Sequence, residues 1–129
     1  MKRYKNIRAV FQNEILSGRC YCILSNLQIT DPNLCSIEHY VPLARVSYHL
    51  ATQRNNIFPA YRIINNLKGQ LLPCEYENDK VEILQYALDH YKLRQVDKEI
   101  VKAAIKNSYT YNINPCKFCI LHTWCENSR

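Results

Sequence analysis

The sequence predicts a single α+β domain, and three observations carry that expectation. Apolar, extended runs occupy the first third, CYCILSNLQI at 20–29 and LCSIEHYVP at 34–42. From residue 78 onward the apolar positions fall at helical spacing instead. A length of 129 residues, with 47% hydrophobic and 22% charged residues, suits one globular unit with a genuine core.

The elements follow in order. Residues 5–17 read as a helix, with Ile7, Val10, Phe11, Ile15 and Leu16 grouped near helical spacing and Ser17-Gly18 closing it. Residues 20–29 read as a hairpin turning at Ser25-Asn26. A loop at Asp31-Pro32-Asn33 leads into a strand that delivers Glu38 and His39 to its end. LARVSYHLATQRN, 43–55, is either a short helix or a loop. AYRIINNLKG, 60–69, reads as a short helix with Gly69 as its C-cap. Residues 71–74 read as a linker.

Val81, Leu84, Leu88 and Tyr91 then mark an amphipathic helix over 80–94 with Asp79 as N-cap. Asp97 caps a further helix carrying Ile100, Val101, Ala104 and Ile105, so 78–129 forms a helical extension with a cysteine-rich tail. The apolar faces of these helices are expected to be core. Internal repeats and low-complexity segments are lacking.

Lys and Arg outnumber Asp and Glu by 17 to 11, a net charge of +6, which suits a polyanionic partner and fits many soluble proteins as well. No apolar run approaches the roughly 20 residues that span a bilayer, and MKRYKNIRAVFQNEIL is charged where a signal peptide is apolar. The expectation is a cytoplasmic protein. Its seven cysteines are then expected as reduced thiols or metal ligands.

The chemistry concentrates in IEHYVP, 37–42. Hydrolysing a phosphodiester near neutral pH needs a base for water and a cation for charge on the leaving oxygen. A histidine serves as base, and a carboxylate with an amide oxygen holds a hard divalent ion. Glu38 and His39 are adjacent, so a regular strand points them to opposite faces. A strand ending near Pro42 lets both serve one site.

IEHYVP followed by NIFPAYRIINNLKG resembles the HNH endonuclease motif of the ββα-metal superfamily. There an acidic-His pair is followed by a loop Asn, then by a helix His or Asn nine positions on, then by a basic turn. Asn56 and Asn65 are nine apart and Lys68-Gly69 follows; His39, Asn56 and Asn65 are similar to the HNN subtype. CYCILSNLQI resembles the hairpin that commonly precedes the histidine strand. The resemblance covers about residues 20–70, implying a ββα-metal core there, between the N-terminal helix and the C-terminal helical region.

It further implies His39 as general base, Glu38 and Asn65 as ligands of Mg²⁺ or Mn²⁺, and Asn56 as the loop residue orienting His39. Arg54, Arg62 and Lys68 are candidate phosphate contacts. Glu38 stands where the family more usually has Asp. Tyr61 and Ile64 stand where many members carry a zinc-binding cysteine pair, so packing is expected to hold this core instead.

In the tail, Cys116, Cys119, His122 and Cys125 have the ligand types of a structural zinc site, at tight spacing. Cys116 and Cys119 joined by Cys20 and Cys22, or by Cys125, is the alternative. Several of these are equally readable as buried thiols. His49 and His90 are expected as ordinary surface or core residues. The function expected is a metal-dependent endonuclease acting on nucleic acid, preferentially DNA, with a protein partner supplying specificity. A nucleic-acid-binding domain without catalysis and a protein-interaction domain are the alternatives.

Overall fold

The computed structural model describes residues 7–122. Helix α1 spans Ile7–Leu16, strand β1 Cys35–His39, helix α2 Tyr48–Ala51 and strand β2 Ile57–Tyr61. Helices α3 (Arg62–Lys68), α4 (Pro73–His90) and α5 (Gln95–Ser108) follow, with 3-10 turns at Pro32–Leu34 and Arg54–Asn56. The chain is therefore α+β, with a two-stranded antiparallel sheet amid helices. One continuous core runs from Phe11 and Ile15 of α1, through Cys20, Cys22 and Ile29, to Ile64, Leu84 and Val101 of the later helices. Among the described residues no helix is long and apolar enough to cross a membrane.

The hairpin that matters is β1–β2, in the register Cys35↔Tyr61, Ile37↔Pro59 and His39↔Ile57. The sequence reading did not anticipate β2, because Pro59 sits at its centre and a proline argues against a strand. The Pro59 carbonyl accepts a hydrogen bond from Ile23 N at 3.0 Å, so its polar edge points away from β1. The missing N–H therefore costs the ladder nothing. Residues 60 and 61 belong to β2, so α3 is shorter than read, and Gly69 caps it at φ +56 as expected.

Residues 20–29 form a tight turn rather than a pair of strands. One bridge joins Tyr21 to Gln28, and Asn26 takes φ +58 at the turn. This segment docks on β2 through Ile23 N and through the Tyr61 N–H, which donates to Cys22 Sγ at 3.4 Å.

Two helix starts need correction. α4 begins at Pro73, inside the supposed linker and not at Asp79. Proline suits the first helical position, and the Glu75 carboxylate accepts from Leu72 N at 2.8 Å. α5 begins at Gln95, with Arg94 at the N-cap and Asp97 inside the first turn, ion-paired to Arg94 at 3.0 Å. The 43–55 segment is α-helical only over α2, where Ser47 caps Leu50 N, and ends in the 3-10 turn Arg54–Asn56.

Candidate functional site

Strand parity sorts the site. Ser36 and Glu38 face α3, since the Asn65 Nδ2 donates to Ser36 Oγ at 2.9 Å and Lys68 Nζ lies 3.3 Å from Glu38 Oε2. Cys35, Ile37 and His39 take the other face. Asn65 and Lys68, three apart, lie one turn from each other on α3 and so meet Ser36 and Glu38, two apart on β1. Asn65 also donates to the Ile37 carbonyl at 3.2 Å, which fixes its amide with Oδ1 turned away from that bond.

Glu38 is 3% exposed and Lys68 1%. The sequence reading made Lys68 a phosphate contact; the structure instead buries it beside Glu38. The reason is α3's shortness: Lys68 closes its last turn on the sheet side, so the ammonium reaches the strand and not the solvent. Although the pair lies within ion-pair distance, its alignment is too poor for a hydrogen bond. Glu38 Oε2 and Lys68 Nζ are both buried without a hydrogen-bond partner among the described residues. Burial pushes the Glu38 carboxyl up to about 7, only partly opposed by Lys68. Burial likewise pulls the Lys68 ammonium down, against Glu38's charge.

His39 ends β1 half-buried. Burial, followed by the charge of Lys68, holds its imidazole below its ordinary value of 6.5. The ring is therefore predominantly neutral at pH 7, the form a base requires.

Asn56 is wholly buried and closes the 40–56 loop. Its Oδ1 accepts from Val41 N at 2.8 Å, and its Nδ2 donates to Val41 O at 2.9 Å and Ala51 O at 2.8 Å. Its own carbonyl accepts from Tyr40 N at 2.9 Å. The main-chain carbonyl thus holds Tyr40, while the side chain makes no bond to His39 and holds backbone groups of Val41 and Ala51. Asn56→Ala leaves these buried backbone groups unpaired. We expect a loss of about 3 kcal/mol, seen as a melting temperature lower by roughly 10 °C in thermal denaturation.

Arg62 and Arg54 are exposed. The Arg62 guanidinium donates to Asn33 O at 2.7 Å and Cys35 O at 3.1 Å, clamping the entry to β1. Arg54 donates to Ile57 O at 3.3 Å. Tyr61 and Ile64 are buried in the core, in keeping with packing at those positions. Sequence reasoning missed Ser36, the anchor of Asn65, and Tyr76, whose buried hydroxyl has no hydrogen-bond partner among the described residues. Ser36 was legible as the same-face neighbour of Glu38; Tyr76 fell between the supposed linker at 71–74 and the helix expected from 80.

The hard oxygen donors fit a divalent ion in type. Glu38 presents an orphaned buried carboxylate oxygen on the α3 face that also carries the Asn65 amide. The cysteines give no such fit. Cys20, Cys22 and Cys35 are buried together, and burial, then the neighbouring Cys35, pushes the Cys20 thiol up to about 12. Cys116 and Cys119 are half-buried elsewhere, near Tyr40. Cys125 lies outside the described residues. Among the described residues no three His, Cys, Asp or Glu side chains gather as a metal site, so no role is derived for zinc. His49 and His90 are exposed, the latter stacked on Tyr86.

No family model, curated protein or solved structure matches the chain.

Proposed function

We propose that the protein is a metal-dependent endonuclease of the HNH type, hydrolysing phosphodiester bonds, preferentially in DNA, on a ββα-metal core made of β1, β2 and α3. The observation that carries this reading is the adjacency, at the end of β1, of a half-buried histidine and a buried carboxylate whose Oε2 has no hydrogen-bond partner among the described residues. The Asn56-stapled loop begins directly after it.

In this reading His39 takes a proton from water, and the resulting hydroxide attacks phosphorus as the bond to the 3′ oxygen breaks, leaving a 5′ phosphate. Glu38 and Asn65 would hold Mg²⁺ or Mn²⁺, which would supply positive charge at the scissile phosphate and the departing oxygen. Ser36 positions Asn65 through the 2.9 Å hydrogen bond. Asn56 positions His39 through the backbone of Tyr40 and Val41. The exposed Arg54 and Arg62 remain the phosphate-contact candidates, and a protein partner supplies sequence specificity.

A nucleic-acid-binding domain that does not cut is the second reading. Lys68 favours it, because it already gives Glu38 a cation within the protein. Supercoiled plasmid separates the two. We expect relaxation with Mg²⁺ or Mn²⁺, abolished by chelator, with 5′-phosphorylated ends that a ligase reseals. A salt-sensitive gel shift without relaxation supports the binder instead.

A further inference from the structure

Tyr21, Tyr111 and Phe118 each leave about half of their surface open, 49%, 47% and 46%. Together with Asn26, Asn114 and Lys117 they line one groove of about 130 Å³, where the segment after α5 crosses the 21–26 turn. The Lys117 ammonium lies 5.3 Å from the Phe118 ring centroid. Phe118 in turn lies 5.6 Å from Phe58 of β2. Phe58 and Tyr21 also line a second, neighbouring groove of about 380 Å³, with Arg19 and Arg54 among its walls. Glu14 is the carboxylate among the described residues lining either groove.

Aromatic rings and cations therefore share this surface: Phe58, Tyr21, Phe118 and Tyr111 with Arg54 and Lys117. The core does not need the three half-open rings, and large exposed aromatics grouped on one surface mark a binding site. Cations between them call for a polyanion with flat, apolar faces, in line with the net charge of +6. A duplex buries its base faces against one another, so rings like these can stack only on unpaired bases.

We propose that this surface is a stacking platform for single-stranded nucleic acid, with Lys117, Arg54 and Arg19 contacting phosphates. Phe58 is the register partner of Glu38, and Ile57 of His39. The platform thus begins one strand away from Glu38 and His39 and feeds unpaired nucleotides toward them. It rests on the nuclease reading for that last step and stands apart from it for binding.

The test uses the His39→Ala protein, so that binding is read without cutting, and a fluorescein-labelled oligothymidine followed by fluorescence anisotropy. Tyr111→Ala and Tyr21→Ala are each expected to weaken binding about tenfold, and Tyr111→Trp to restore it, because stacking is what is measured. Lys117→Gln should lower the salt dependence, with log K against log salt losing about 0.7 from its slope. Circular dichroism checks that the variants are folded.

Unchanged affinity in both alanine variants, or tighter binding of a matched duplex, overturns the platform. Tyr111-dependent oligothymidine binding by a protein whose wild type relaxes no plasmid sinks the nuclease reading and leaves the platform standing. Plasmid relaxation with no Tyr111 dependence in oligothymidine binding does the reverse.

Discussion

Replacing Lys68 by methionine is expected to cost about 3–5 kcal/mol of stability once Glu38 is ionised, well above pH 7, the usual penalty for removing one partner of a buried ion pair. Lys68 and Glu38 are both almost wholly buried and 3.3 Å apart. Methionine fills the space of the lysine stem, so the loss reports charge and not a cavity. Without the ammonium, the Glu38 carboxyl, already pushed up to about 7 by burial, rises further, because Lys68 is what opposes the shift.

The sign with pH follows. A carboxyl whose folded value lies above its unfolded value of 4.5 costs nothing below 4.5, and stability is lost as pH rises through the folded value. The Glu38-linked part of the Lys68→Met deficit should therefore be small below pH 7, where the carboxyl is protonated with or without Lys68, and grow as pH rises from about 7 toward the variant's still higher value. A Glu38→Met/Lys68→Met double variant removes both charges and should regain most of the loss, since an apolar pair of similar volume replaces a poorly aligned ionic one. Urea denaturation of the parent, both single variants and the double closes the cycle. Equal losses in single and double variants contradict the coupling.

The second large effect is on activity. His39→Ala is expected to lower plasmid relaxation by about 10²- to 10⁴-fold, the contribution of a positioned general base. Its stability should change little, because His39 sits half-buried at the end of β1. In the parent protein the base must be neutral, and burial with the nearby Lys68 lowers its value below 6.5. The limb that His39 contributes to the rate profile is therefore expected below pH 6.5, with activity falling as pH drops through it. In His39→Ala that limb disappears.

How far the sequence disclosed this molecule depends on which forces act locally. Helical periodicity made α1, α4 and α5 legible, since a buried stripe such as Leu84 and Val101 leaves its period in the chain. β1 was legible from its apolar run, and its end at His39 from Pro42. β2 was not, because Pro59 hides a strand whose partner and polar edge are set by residues 18 and more positions away. The start of α4 was hidden for a related reason: a proline serves equally in a linker and at a first helical position.

Within the candidate site, the resemblance to the HNH motif, with its nine-residue interval, singled out Asn56 and Asn65, and both make the buried or half-buried bonds described above. Spacing could not tell that Lys68 points inward, because a lysine in a last helical turn is ordinarily a solvated charge. Only the crossing of a seven-residue α3 over β1 turns it toward Glu38. Ser36 and Tyr76 are common residues whose roles exist only through neighbours far along the chain.

The most direct test sets wild type and His39→Ala side by side on supercoiled plasmid, with Mg²⁺ and with Mn²⁺, at pH 7.5. Relaxation by the wild type with either ion, lost with chelator and in the folded His39→Ala protein, is the expected result. No relaxation by the wild type with either ion, or equal relaxation by His39→Ala, would contradict the assignment of β1, β2 and α3 as a hydrolytic site.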